Sequence, residues 1–160
     1  MTVFIKGKDA FPFAFKEYTN TIYRIAVHNT SCVSDAEDIT QEVFTKLLER
    51  SAPIHGEDHL KAWLIRVTIN LCHDYCKKNA RLDVVSEPLS MNETAHEDSV
   101  LEAVKALPEN YRNVIYLHYY EGYTVKEISS IINAKEGTVL SWLSRGRGAL
   151  KTMIGGFDDE

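Results

Sequence analysis

Apolar residues recur along this chain at helical rather than strand spacing. Phe13, Tyr18, Ile22, Ile25 and Ala26 form one stripe, Ile39, Val43, Leu47 and Leu48 a second, and Leu60, Trp63, Leu64, Val67, Leu71 and Tyr75 a third. Steps of three and four put each set on one side of a helix. Pro12, which a first turn tolerates, is expected to open the first helix, running to about His28. Ser34-Asp35-Ala36-Glu37 reads as a capping box for the second helix, which continues to about Arg50. The Pro, Gly and Ser of SAPIHGEDH, residues 51–59, predict a loop, and a third helix follows from about Leu60 to Asn79.

The helical period breaks between Arg81 and Asp98, where Pro88 and four acids (Asp83, Glu87, Glu93, Glu97) precede Asp98. That stretch predicts a linker without a core of its own. Beyond it, Val100, Leu101, Val104 and Leu107 predict a short helix ending before Pro108. Tyr111, Val114, Ile115, Leu117, His118 and Tyr119 predict another, stopping at Gly122. Thr124 then caps a helix carrying Val125, Ile128, Ile131 and Ile132, and after only Asn133, Ala134 and Lys135 a further pattern begins with Val139, Leu143, Leu150 and Met153. So short a connection predicts a helix-turn-helix whose second helix keeps an outer face free for a DNA major groove. The expected architecture is all-α, with a three-helix domain over 1–81, an acidic linker over 82–98, a four-helix domain over 99–154 and a tail over 155–160.

Charge refines this picture. The chain of 160 residues has a net charge of -5, which by itself argues against a nucleic-acid partner. The sum conceals two basic islands. From His59 to Arg81 stand Lys61, Arg66, Lys77, Lys78 and Arg81 against Asp74 alone, and from Lys135 to Lys151 stand Lys135, Arg145, Arg147 and Lys151 against Glu136. Arg66, Asn70, His73 and Lys77 step by four, three and four and fall within about 60° of a helix surface, off the apolar stripe, an arc suited to phosphates and bases. Asp35, Glu37, Asp38, Gln41 and Glu42 make an acidic patch at the start of the second helix, where the dipole favours carboxylates.

Other chemistry is weakly signalled. Cys32, Cys72 and Cys76 fit free thiols in a reducing compartment better than a disulfide framework. Cys72, His73 and Cys76 lack the fourth ligand a structural zinc wants, so neither a metal nor another cofactor is expected. No histidine has a partner set for nucleophilic catalysis, and no enzyme is expected. There is no apolar run of membrane-spanning length and no signal-peptide pattern at the start, which predicts a cytoplasmic protein without membrane insertion of its own.

Taken together, DAEDITQEVF from Asp35, AWLIRVTINLCHDYCKKNAR from Ala62, LPENYRNVIYLHYYEGYTVKEIS from Leu107 and the EGTVLSWLSRGRGAL ending resemble an extracytoplasmic-function sigma factor of bacterial RNA polymerase. The resemblance spans nearly the whole chain. It implies a region 2-like N-terminal domain, a region 4-like C-terminal domain, and core RNA polymerase and promoter DNA as partners, with an anti-sigma protein as a further one. By resemblance, Asp35, Glu37, Asp38, Gln41 and Phe44 dock on the polymerase. Asn70, Asp74, Lys77 and Lys78, with Arg66, His73 and Arg81 around them, hold the single-stranded minus-ten element. The loop 51–59 lies where the family captures a flipped base. The second helix of the helix-turn-helix reads the minus-thirty-five element through Lys135, Glu136, Thr138, Ser141, Trp142, Arg145, Arg147 and Lys151.

Where the family often has cations in that helix, this chain has Leu140 and Trp142. Leu140 is either an apolar contact to a thymine methyl or extra core, and Trp142 packs on a sugar or on a neighbouring helix. The competing reading is a free-standing helix-turn-helix regulator with an N-terminal dimerisation or sensor domain. The basic stripe of the third helix argues against it, because such a domain has no use for that stripe.

Overall fold

A computed structural model describes residues 6–82 and 97–155, with side chains for 6–79 and 100–155. The described residues form seven helices and no strand, in two compact units, Met1–Leu89 and Ser90–Glu160. Of the expected linker over 82–98, Leu82 ends α3, Glu97 and Asp98 open α4, and 83–96 lie outside the described residues, as do the tail beyond Gly155 and the Arg81 side chain.

In the first unit, α1 (Gly7–Asn29), α2 (Val33–Glu49) and α3 (Glu57–Leu82) surround one core. Pro12 does not open α1 but stands inside it, five residues after the start. The start is set by packing: the Gly7 N–H meets the Arg50 carbonyl at 3.4 Å, and a Cβ on Gly7 would sit 1.7 Å from the Leu47 carbonyl oxygen. Only glycine fits where α1 begins against the end of α2, and Ala10 and Ala14, both fully buried, continue that close contact.

The capping box expected at Ser34 is absent. Cys32 is the N-cap of α2, without a side-chain cap, and Ser34 is already the second helical residue. A tertiary contact stands just before this start instead: the Tyr75 hydroxyl accepts from the Ser31 N–H. The buried stripe of α2 is Ala36, Ile39, Thr40, Val43, Phe44 and Leu47. Leu48, expected in the core, is 48% exposed, because it lies about 100° round the helix from Leu47.

Helix α3 starts three residues before Leu60, with Glu57 and Asp58 at its positive end. Its fully buried residues include Leu60, Leu64, Ile65, Thr68 and Cys72, while Trp63, Val67, Leu71 and Tyr75 are half-buried against the core. Thr68 is tolerated inside because its hydroxyl donates to the Leu64 carbonyl at 2.7 Å, and Cys72 acts as a small apolar group. Ile54, within the expected loop, is fully buried and pins that loop to the core. Each such Ile or Leu contributes about 1.5 to 3 kcal/mol of burial.

The second unit contains α4 (Glu97–Ala106), α5 (Glu109–Tyr119), α6 (Val125–Ile132) and α7 (Glu136–Ile154). Arg112 of α5 is buried and donates from Nη1 to the carbonyls of Lys105 and Leu107, completing the C-terminal end of α4. Tyr119, counted with the apolar face of α5, is 53% exposed, and Met153 of α7 is 48% exposed, since the core at those helix ends is thin. Thr124 and Glu127 form the capping box of α6, and Asn133 ends it in the left-handed conformation at φ 57°. The three-residue connection 133–135 then leads into α7, whose inner face is Val139, Leu143 and Gly146.

Candidate functional site

On α2 the structure brings Glu37, Asp38, Gln41 and Glu42 to the surface, all exposed. Asp35 is half-buried, its Oδ2 accepting from the Tyr75 hydroxyl. Phe44, expected among the docking residues, is 5% exposed and lies edge-on against Phe11 and Phe15, at centroid distances of 5.8 and 5.3 Å. It supports the acidic face from beneath. Phe15, 53% exposed, Val33 and Leu48 are the large apolar groups that reach solvent on α1 and α2.

Helix α3 carries Arg66, Asn70, His73, Asp74, Lys77 and Lys78, every one exposed. The arc of two cations, an amide and an imidazole anticipated from the spacing is open to solvent, with Asp74 and Lys78 beside it. The Tyr75 hydroxyl, which bonds Asp35 of α2, stands on the opposite side of α3 from that arc.

The junction between the loop and the first turn of α3 holds a cluster that the sequence pattern did not single out. His55 and His59 stack at 5.6 Å with their planes 12° apart, and the His55 N–H donates to His59 Nδ1 at 2.8 Å. This bond leaves the His59 proton on Nε2 in the neutral ring. Burial, then the Arg50 guanidinium, then His55 push the His59 pKa below its ordinary value. Arg50 lies over the Trp63 ring at 4.9 Å and donates from Nη2 to the Pro53 carbonyl at 3.4 Å. Its Nε is buried without a hydrogen-bond partner. The only sequence signal was two histidines four apart across a helix start.

In the second unit, Lys135, Glu136, Arg145, Arg147 and Lys151 of α7 are exposed, while Thr138, Ser141 and Trp142 are half-buried. Leu140 is 55% exposed and is not core. Arg147 is engaged on one side, its Nη1 donating to the Tyr119 hydroxyl at 3.0 Å. Behind it runs a mostly apolar groove of about 360 Å³ between α4, α5 and α7, floored by Val104 and Ile115 and reaching Leu150 and Ile154.

Among the described residues no three His, Cys, Asp or Glu side chains are grouped to hold a metal. Cys72 is buried, Cys32 and Cys76 are half-buried, and the Cys76 thiol donates to the Asn29 carbonyl at 3.5 Å. No helix among the described residues is long and apolar enough to cross a membrane.

Two family models match the chain, sigma-70 region 2 over residues 14–82 and sigma-70 region 4 over residues 97–150. The ECF RNA polymerase sigma factor SigM of Bacillus subtilis is 31% identical over 91% of this chain and 96% of that protein. SigW of the same organism is 29% identical over 92% of this chain and 90% of that protein. SigE of Mycolicibacterium smegmatis is 28% identical over 87% of this chain but only 59% of its own length. Among solved structures, the sigma factor RpoE of Bartonella quintana, held in a complex with the anti-sigma factor NepR, shares the fold. Its TM-score is 0.78 at 21% identity, covering 92% of this chain and 98% of that one. CnrH, in a complex with the cytosolic domain of CnrY, gives 0.68 at 19% identity over 93% and 90%.

Proposed function

The chain belongs to the ECF sigma factors, the promoter-specificity subunits of bacterial RNA polymerase, and from that premise we propose how its surfaces divide the work. As a sigma factor it binds core polymerase and promoter DNA and acts in transcription initiation, inside the cell. Its family consists of non-catalytic initiation factors. In the proposed division, Asp35, Glu37, Asp38 and Gln41 on α2 dock on the polymerase. The α3 arc of Arg66, Asn70, His73 and Lys77, with Asp74, Lys78 and Arg81, holds the displaced strand of the minus-ten element. Helix α7 reads the minus-thirty-five element in the major groove through residues 135–151. We place this work in the cytoplasm and assign the chain no catalysis of its own.

The observation that carries this reading is the pairing, on the first unit, of an exposed acidic helix face with an exposed basic arc free of core duties. Opening a duplex costs stacking energy, and holding an unstacked strand needs donors and cations rather than a reactive group. With a net charge of -5 the chain binds free DNA poorly, so the acidic face supplies affinity by holding the polymerase instead. A free-standing regulator accounts for α6 and α7 but not for the region 2 match over 14–82. Run-off transcription with core polymerase tests the reading: the chain should direct initiation at a defined start. Sequence-specific DNA binding as a dimer, without polymerase, would contradict it.

The RpoE structure named above contains the anti-sigma factor NepR, which supports a protein inhibitor for this chain too. Such an inhibitor would compete with core polymerase, so a partner that stays bound on the assembled holoenzyme would rule it out.

A further inference from the structure

The unusual residues of α7 do not all answer to the packing of the unit that contains them. Gly146 does: a Cβ there would stand 2.9 Å from Cγ1 of Ile115. At Gly137 and Gly148 a Cβ would meet nothing within 4 Å. Leu140 is anomalous in the opposite sense, 55% exposed although Val139 beside it is fully buried. At about 100° per residue, Gly137, Leu140, Ser144 and Gly148 share one outward strip. The exposed Arg145 and Arg147 flank it, and Lys151 follows at its end. The strip is a low surface from which one apolar group projects. Alone, this arrangement is unfavourable, since each exposed helical glycine costs about 1 kcal/mol against alanine and the leucine stays in water. Both features become favourable once another surface closes on the strip.

Resting on the reading of α7 as the promoter-reading helix, we propose that Leu140 is a specificity-determining residue. Its isobutyl group meets the C5-methyl of a thymine in the upstream element, at a depth made accessible by the missing side chains at Gly137 and Gly148. Leucine has no donor or acceptor. In the major groove it can therefore favour only the thymine methyl, and it penalises a base whose amino or carbonyl group it would strip of water. The flanking arginines set register on the phosphates on either side. The contact is chemically opposite to a cation at the same place, which would seek guanine.

Holoenzyme assembled from this chain and core polymerase is used to select duplexes from a randomised pool, and the selected promoters are resynthesised with deoxyuridine replacing each upstream thymidine in turn. One replacement should weaken wild-type binding about fourfold, the value of one buried methyl. Leu140→Ala, whose side chain has no core role, should bind the thymine and uracil forms equally, and Leu140→Met should restore discrimination. Indifference of the wild type to every replacement, or an undiminished fourfold loss in Leu140→Ala, overturns the assignment. A pool that returns no upstream preference, while the holoenzyme still initiates, overturns the promoter-reading role of α7 and this inference with it.

Discussion

The Tyr75 hydroxyl donates a 2.7 Å hydrogen bond to Asp35 Oδ2, tying the C-terminal half of α3 to the first turn of α2. The same oxygen accepts from the Ser31 N–H, so one phenol fixes the turn between α1 and α2 and the start of the acidic face. Tyr75→Phe removes both bonds and leaves a half-buried carboxylate short of a donor. Denaturant unfolding of the first unit should report a loss of about 1 to 2 kcal/mol. Burial and then the bond to Asp35 raise the Tyr75 pKa above 10.0. A raised folded-state value means that this contribution is intact below pH 10.0 and declines as the pH climbs past it. Alkaline destabilisation should therefore be shallower in Tyr75→Phe; an unchanged slope would contradict the assignment.

His59 behaves in the opposite sense. Its pKa is lowered from 6.5 by burial, Arg50 and His55, so the unfolded chain takes up a proton more readily than the folded one. Stability from this residue is present above pH 6.5 and is lost as the pH falls through the folded value. Thermal melts of wild type and His59→Gln should converge on acidification below 6.5, with the wild type losing more.

Two glycines two residues apart should respond oppositely to the same change. Gly146→Ala pushes a methyl into Ile115 and should cost about 1 to 2 kcal/mol after the gain in helix propensity. Gly148→Ala enters open space and should add up to about 1 kcal/mol of stability. Equal effects in calorimetry would mean that α5 and α7 do not approach as described.

Replacing both Asp38 and Gln41 by alanine should weaken core polymerase binding about tenfold or more while the melting temperature stays put. Both residues are exposed, so a fold defect is no explanation for the loss. Fluorescence anisotropy against purified core enzyme checks it, and retained affinity counts against the docking face.

Alanine at Asn70 and Lys77 should reduce open complexes about tenfold, seen as lost permanganate reactivity, with closed binding changed far less. An equal fall in both would remove α3 from strand opening and leave it a general phosphate contact.

Much of this molecule was legible in its periodicity, and the failures share one cause. The long stripes placed all seven described helices, and Thr124 marked the start of α6, because there the capping chemistry met no competing contact. At the start of α2 the same kind of signal misled, since Tyr75, forty residues on, sets the turn and Ser34 is drawn inside the helix. Gly7, Phe44 and Leu48 likewise take their surroundings from partners remote in sequence, which no local pattern specifies. The exposed arc on α3 followed from spacing alone. The imidazole stack of His55 and His59 depends on how Ile54 seats the loop and was not readable beforehand.

Arg112 is a cation turned inward, held by the carbonyls of Lys105 and Leu107 in the same unit. A polyanion approaching the helix-turn-helix feels only the charges that remain on the outside, so a tally of arginines and lysines overstates the number of counterions that binding releases. The salt sensitivity of promoter binding by this unit will be gentler than its composition implies.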